Sequence, residues 1–355
     1  MIYPRVEIDL AKLRHNVQYL SQYCERRGIA VAAVTKVTAA YPEIARVIYD
    51  GGVCQLADSR LENLKRLRFM FPDAELVLLR LPMLSQADEV VQTVDISLAS
   101  ELETLRALNE AARKADTEHG ILLMIDLGDL REGAWPDEAV DLARAFKDFP
   151  YLNLEGVGTN LACYGGVIPN HEKMAQLVSI KEQIEEVLAT NLRWVSGGNS
   201  ANWKLLESGE MPKGINHLRI GEALLLGRET VNRTPIDSMH QDVFTLCAEV
   251  IELKTKPSAP IGQVGQDAFG KTPTFHDRGK HRRAILAVGR QDVVPEGLNP
   301  EIRGMQILGA SSDHLILDVE DTGPISLGDT IRFKIHGYSA LLALFTSGYV
   351  DKVTV

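Results

Sequence analysis

Two hydrophobic rhythms alternate along the first two thirds of the chain. Short runs of Val, Ile, Leu and Ala, the mark of strands buried on both faces, exchange with longer segments whose apolar positions recur every three or four residues, the mark of amphipathic helices. Residues 10–27 are such a helix, with Leu13, Val17 and Leu20 on one stripe and Gly28 closing it. Residues 29–37, IAVAAVTKV, follow as a buried strand that runs to Lys36. Pro42 opens the next helix, which ends at Gly51 and Gly52. Further strands fall at 53–58, 75–80, 94–99, 121–126, 152–159, 192–196 and 217–221. Between them Ser59 with Glu62, and Ser100 with Glu103, read as capping boxes. One helix opens at Pro136 and another covers 171–189. Eight strand-then-helix units predict a (β/α)8 barrel, a TIM barrel; a doubly wound open sheet shows the same alternation, and the count of eight favours closure.

Beyond about residue 235 the rhythm changes. Residues 242–254, 284–288, 305–308, 315–319 and 330–334 read as short strands separated by turn-rich segments such as LNPEIRG and EDTGPISLGD, with no long helix between them. The α/β barrel is therefore expected over 1–235 and a smaller all-β domain over 236–355, with residues 1–9 able to join the latter as a strand.

Composition narrows the function. The chain has 355 residues, enough for two cores. A net charge of −10 gives no electrostatic footprint for nucleic acid, and the basic cluster at 280–283 reads as a solvated loop. Cys24, Cys54, Cys163 and Cys247 are widely spaced with no C-x-x-C, which favours reduced thiols and a cytoplasmic home. The first ten residues, MIYPRVEIDL, lack the layout of a signal peptide, and no apolar run is long enough to span a bilayer.

Barrel enzymes carry their chemistry at the C-terminal ends of the strands. Here those ends bear Lys36; Asp58 and Arg60; Arg80; Asp126 and Arg131; Thr159 and Asn160; then SGGNSA (196–201) and RIGEA (219–223). A lone strand-end lysine is most simply one whose stem is buried and whose head reaches water. Each glycine turn alone is a plain helix start. Together on one face, a buried amine and backbone N–H groups after strands seven and eight suggest a phosphorylated carbonyl compound held through a lysine Schiff base, either pyridoxal 5′-phosphate or a sugar phosphate as in aldolases.

That order of residues, with a β-domain to follow, resembles the alanine racemase family of fold-type III pyridoxal-phosphate enzymes over essentially the whole chain. VAAVTKV, LADSRLENLKRL, GTNLACYGG, PIGQVGQDAFG and AILAVGRQD resemble its ornithine racemase branch. The resemblance implies that Lys36 is the Schiff-base lysine and one of two proton-transfer bases, and that Arg219 faces the pyridine nitrogen. It places Asn199, Ser200 and the backbone of Gly221 and Glu222 at the phosphate, Arg131 near the phenolic oxygen, Tyr338 (in KIHGYSALL) at the phosphate, and Asp313 as a residue given by the other subunit of a head-to-tail homodimer. Tyr41 lies one residue too far from Lys36 to match the family's phosphate-binding tyrosine. No metal is expected.

Two positions depart from the family. Asn160 stands where its histidine lies under the pyridine ring, and Gln263 aligns with its catalytic tyrosine. Glutamine cannot exchange a proton at ordinary pH. The second base is then expected at Asp267 or Asp313, Asp267 first, although Asp267 in GQDAFG equally reads as an aspartate capping its own turn. Asp292 and Asp313 are candidate partners for a substrate ammonium. Arg290 is a candidate for the substrate carboxylate, or pairs with one of those aspartates. The expected reaction is two-base racemisation of a free amino acid, ornithine by the branch resemblance. The alternatives are an alanine, lysine or broad-specificity racemase, a fold-type III decarboxylase or D-threonine aldolase, or a non-enzymatic pyridoxal-phosphate carrier; the sequence lacks the decarboxylases' cysteine–aspartate motif and the aldolases' metal pair beside His336, and the β-domain argues against a carrier.

Overall fold

Side chains that alternate along each strand sort this molecule into layers. The structure is a computed structural model and describes residues 3–355. In chain order its first strands are β1 (Arg5–Ile8), β2 (Ala30–Val34), β3 (Gln55–Asp58), β4 (Leu76–Leu78), β5 (Ile96–Ala99), β6 (His119–Met124), β7 (Leu152–Gly158), β8 (Trp194–Ser196) and β9 (His217–Ile220). Strands β2 to β9 pair in parallel with their neighbours, and β9 pairs back onto β2, so the barrel is closed.

Ala32, Val34, Ala57, Val77, Ile96, Leu98, Leu122 and Met124 pack together as one cluster. They are every second residue of their strands and fill the lumen. Leu123, Ile125, Val157 and Val195, one step out of phase, pack outward against Met174, Leu177, Ile180 and Ile184 of the helix His171–Leu188. The same alternation puts His217 and Arg219 in the lumen and Leu218 and Ile220 outside. Gly156 and Gly158 of β7 leave room for large neighbours: a Cβ at Gly158 would lie 3.3 Å from Arg219 Nη1.

The second unit holds β1 with β10 (Phe244–Pro257), β11 (Lys280–Leu286), β12 (Leu298–Pro300), β13 (Gln306–Ala310), β14 (Leu315–Asp318), β15 (Thr330–Ile335) and β16 (Asp351–Thr354). Its main path runs β12-β15-β10-β11-β14-β13, antiparallel throughout; β1 pairs antiparallel with β10 and parallel with β16. Its core includes Leu246, Phe333 and Leu317, with Phe244 edge-on to Phe345 at 5.8 Å. The chain divides into the residues up to Lys12 with Asp242–Val355, and Leu13–Gln241. The second unit thus begins at 242 rather than 236. The segment before it is held to the first barrel helix by Asn16, whose side chain accepts from His240 N (2.7 Å) and donates to His240 O (2.8 Å).

Several local expectations are corrected. The first barrel strand stops at Val34, and Lys36 opens a 3-10 turn, Lys36–Thr38. Neither serine capping box forms: the helices Leu61–Met70 and Leu102–Lys114 are entered through Arg60 and Glu101 without a side-chain cap. The helix expected from Pro136 begins at Ala139. The basic cluster 280–283 is not a loop but part of β11, where His281 Nδ1 lies 2.8 Å from Asp318 Oδ2 of β14 and Arg282 N donates to Glu320. KIHGYSALL turns from β15 into a helix, Tyr338–Thr346, that was not expected. Among the described residues no helix is long and apolar enough to cross a membrane.

A Cβ at Gly156 would lie 2.0 Å from the Trp194 carbonyl oxygen, which is rigid backbone. Gly156→Ala is expected to destabilise the protein by ~1–3 kcal/mol, read as a lower urea midpoint.

Candidate active site

The turn after β2 holds Lys36 tightly. Thr35 N donates to Ala57 O (2.9 Å), and Thr35 Oγ1 donates to Asp58 Oδ2 (2.7 Å). Asp58 is fully buried; its Oδ1 takes the backbone N–H groups of Ser59 and Arg60 and the Asn63 amide, at 2.7, 3.0 and 3.0 Å. Burial raises the Asp58 carboxyl, and those hydrogen bonds with the one from Thr35 oppose the shift. Asp58 is thus a structural brace beneath Lys36. The Lys36 amine makes no hydrogen bond or ion pair among the described residues. Burial pushes its pKa below 10.5; Cys163 pulls it up, Arg131 pushes it further down, and Asp58 and Glu132 pull it up. An amine made a weaker base by desolvation is a better nucleophile toward a carbonyl at neutral pH.

Arg219, from β9, is almost completely buried in the lumen. Nη1 donates to Ser196 Oγ, and Nη2 donates to Thr159 O (2.7 Å). No carboxylate pairs with this guanidinium among the described residues. Burial lowers its pKa to about 10, so it stays charged at neutral pH and remains a donor in search of an acceptor. The Thr159 hydroxyl beside it is buried with no partner.

The turns after β8 and β9 meet. Gly198 has φ of +123°, open to glycine, and its carbonyl accepts from Arg219 N (2.8 Å). Asn199 Oδ1 takes Ala201 N (2.8 Å), and Ser200 Oγ takes Ala223 N (3.2 Å), tying the two turns together. Gly221 lies against β2, where a Cβ would come 3.1 Å from that of Val34. Glu222 is buried and paired with Arg233, its carboxyl raised by burial; only its backbone is placed to face an anion. An unpaired amine, a buried guanidinium without a counter-ion and a small-residue cradle with a hydroxyl fit a phosphorylated aldehyde carrying an acceptor ring nitrogen.

One wall was only partly foreseen. Arg131 is exposed and pairs with Glu132 (Nε to Oε2, 2.7 Å), while its Nη1 approaches Cys163 Sγ (3.0 Å). Asn160 donates to Glu132 Oε1 (3.2 Å) and accepts from Asn199 (2.8 Å). The rail Arg131–Glu132–Asn160–Asn199 therefore joins three residues singled out in the sequence through one that was not. Glu132 sat beside Arg131 in LREG, and Cys163 in LACYGG; nothing in their spacing marked either.

The β-domain candidates lie in the other unit. Asp267 is exposed and caps its own turn, Oδ1 accepting from the N–H groups of Phe269 and Lys271 at 2.9 Å each, bonds that lower its pKa. Asp313 is exposed, accepts from Ser312 and Ser311 and is lowered by them. Tyr338 is half-buried at the start of its helix, and Gln263 is exposed. Arg290 pairs with Glu296 (2.6 Å) rather than with Asp292 or Asp313. Asp292 is buried and accepts from Ser347 (2.7 Å), its second oxygen without a partner.

With this geometry in place, comparison with known proteins gives three findings. The family model for the alanine racemase N-terminal domain matches residues 8–229. The ornithine racemase of Acetoanaerobium sticklandii is 44% identical over 355 residues, covering 99% of each chain, and the lysine racemase of Thermotoga maritima 42% identical over 353 residues, again 99% of each. The alanine racemase of Bartonella henselae, solved with covalently bound pyridoxal phosphate, superposes with a TM-score of 0.75 at 18% identity, covering 100% of each chain.

In an NMR titration of the reductively 13C-methylated protein, Lys36 is expected to titrate below 10.5 and Lys204, raised by its hydrogen bond to Glu207, above it. Between the lowered folded pKa and 10.5 the unfolded chain holds a proton on Lys36 that the folded chain has released, so stability rises with pH across that window. Lys36→Met should therefore gain stability relative to the parent at pH 7, and the difference in urea midpoint should shrink as pH approaches 10.5.

Proposed function

The chain belongs to the alanine racemase family, and on that premise we propose that it is a pyridoxal 5′-phosphate-dependent racemase of free ornithine. The observation that carries this reading is the unpartnered Lys36 amine, weakened as a base by burial, in one barrel mouth with a buried Arg219 that has no counter-ion. The Bartonella henselae relative carries pyridoxal phosphate covalently, which supports the same cofactor here.

In this reading Lys36 holds the cofactor and also moves a proton at the substrate Cα from one face. Arg219 would face the ring nitrogen and, because a guanidinium does not give up its proton, would leave that nitrogen unprotonated. Ser200, Asn199 and the N–H groups of Gly221 and Glu222 would hold the phosphate. Arg131 would serve the phenolic oxygen, and Asn160 would line the ring. The cofactor supplies an electron sink for the negative charge left at Cα. The second acid, on the opposite face, comes from the β-domain of a second copy in a head-to-tail homodimer, Asp267 ahead of Asp313. Four free cysteines support a reducing, cytoplasmic setting.

Ornithine is favoured over lysine by the 44% relative, and lysine, named by the 42% relative, is the second reading. The two side chains differ by one methylene. An apolar pocket separates such a pair by only ~10–200-fold.

Polarimetry over L-ornithine, L-lysine and L-alanine is expected to show ornithine racemised fastest, with lysine within ~10–200-fold and alanine slowest. Racemisation of alanine alone would overturn the substrate assignment. Lys36→Ala should lower kcat by at least ~10²–10⁴-fold and abolish cofactor fixation by borohydride. Mixed dimers of Lys36→Ala and Asp267→Ala chains should regain activity. No recovery in dimers shown to form, with each parent variant inactive, would remove the shared site.

A further inference from the structure

The barrel lumen is lined mainly by apolar side chains, yet a polar file crosses it from one end to the other. It starts at the N-terminal ends of the strands with Glu75, whose carboxylate takes Arg193 Nη1 (2.7 Å) and Gln55 Nε2 (2.6 Å). Gln55 Oε1 lies 2.9 Å from His217 Nε2, and His217 Nδ1 lies 2.8 Å from Ser196 Oγ. Ser196 Oγ receives Arg219 Nη1. Gln55, His217, Ser196 and Arg219 are all buried, and Trp194 packs on the imidazole with ring centroids 4.9 Å apart.

Donor and acceptor rules fix the direction of every hydrogen. A carboxylate only accepts, so Glu75 forces the Gln55 amide to present N–H toward it and C=O toward His217. That carbonyl only accepts, so His217 carries its proton on Nε2. Burial keeps the ring neutral, its pKa down at about 3, and Nδ1 is then an acceptor. The Ser196 hydroxyl must give its hydrogen to Nδ1, which leaves its lone pairs for Arg219. All the hydrogens point away from the active site, toward the Glu75 carboxylate.

We propose that Glu75, Gln55, His217 and Ser196 form a one-way hydrogen-bond relay that positions Arg219 from the opposite end of the barrel. His217 and Gln55 are positioning residues, because they act through Ser196. Without the polarity set at Glu75, Ser196 could turn its hydrogen toward the guanidinium and repel it. With it, Arg219 is held as a fixed donor aimed along the mouth. The effect on the reaction rests on the reading of Arg219 as the partner of the cofactor ring nitrogen; the relay itself does not.

Two arms test it. In 15N-histidine-labelled enzyme, with or without pyridoxal phosphate, His217 is expected as the pure Nε2–H tautomer, with no titration between pH 5 and 9. In Glu75→Gln, a conservative change at a half-exposed position, Arg193 can only donate and keeps the new amide's oxygen, so its NH2 faces Gln55, the Gln55 amide should turn over, and His217 should move toward the Nδ1–H tautomer. An Nδ1–H tautomer in the parent, or unchanged His217 signals in Glu75→Gln, would overturn the relay. The second arm is kinetic. Glu75→Gln should lower kcat about tenfold with little change in KM and shift the absorbance of bound pyridoxal phosphate. In a Ser196→Ala background the same change should do nothing further, because the relay is already cut. Additive effects would mean that Glu75 acts only on stability, and would overturn its link to Arg219. A parent enzyme with no racemase activity would remove the functional reading and leave the tautomer result to decide the relay.

Discussion

The molecule is organised around a cation that it buries without neutralising. A closed parallel barrel has no edge and a packed lumen, so charge inside it is costly unless paired or hydrogen-bonded. Among the described residues Arg219 sits there with neutral acceptors only, the Ser196 hydroxyl and the Thr159 carbonyl. Glu132, the carboxylate near enough to raise its pKa, spends its own oxygens on Arg131 and Asn160. A salt bridge would have satisfied the guanidinium. Acceptors that solvate it without cancelling its charge leave it able to recognise something else. Gly158 gives it volume, and β8 and the residue that follows β7 supply its anchors, so the barrel geometry and the site chemistry cannot be separated.

Lys36 depends on a different device. After β2 the chain leaves the strand, makes one 3-10 turn and passes through two consecutive left-handed residues, Ala39 and Ala40, both at φ of 49°. Neither is glycine, and each costs ~1–2 kcal/mol. The conformation persists because its surroundings over-determine it. Thr38 N donates to Thr35 O (3.1 Å), Tyr41 N to Thr38 O (2.9 Å), and Arg66 reaches from the helix Leu61–Met70 to Ala39 O (2.7 Å). Asp58 braces the turn from below. Local strain held by long-range bonds fixes the root of a side chain that itself makes no bond, an arrangement suited to a nucleophile that must be placed and still free to react.

The barrel was legible because its signal is long-range and redundant: eight apolar runs at helical spacing leave few topologies. The placement of Lys36, Arg219 and the SGGNSA and RIGEA turns was legible for the same reason, since each falls where an apolar run stops. Finer features failed where tertiary contacts overrode local preference. Ser59 and Ser100 look like caps, but Asp58 uses the N–H of Ser59 to hold the Lys36 turn, and neither helix entry carries a side-chain cap. The basic run 280–283 looks solvated because its strand pairing with β14 and its bonds to the Asp318 and Glu320 side chains cannot be seen from the run itself. Glu132 and the relay were invisible for a stronger reason. Gln55, Glu75, Ser196 and His217 are separated by up to 162 positions, and only the closed barrel brings them into one file.

The two candidates for the second acid show how the chemistry and the proposed assembly constrain one another. A base that takes a proton from Cα works best when its pKa approaches the operating pH. Asp267 and Asp313 are exposed, and hydrogen bonds hold both below the ordinary carboxylate range; as they stand they are poor bases. Burial is the force that raises a carboxyl, as it does for Asp58 and Glu222 in this chain. Either aspartate therefore needs to be covered before it can act, and a second copy over it would supply that cover in the same step that brings it to a substrate. Asp267 is better prepared. Both of its turn bonds fall on Oδ1, whereas Asp313 has two serine hydroxyls on Oδ1 and His314 at 3.5 Å from Oδ2. The Asp267 turn can stay formed while Oδ2 faces a Cα proton; at Asp313 the imidazole must first move away.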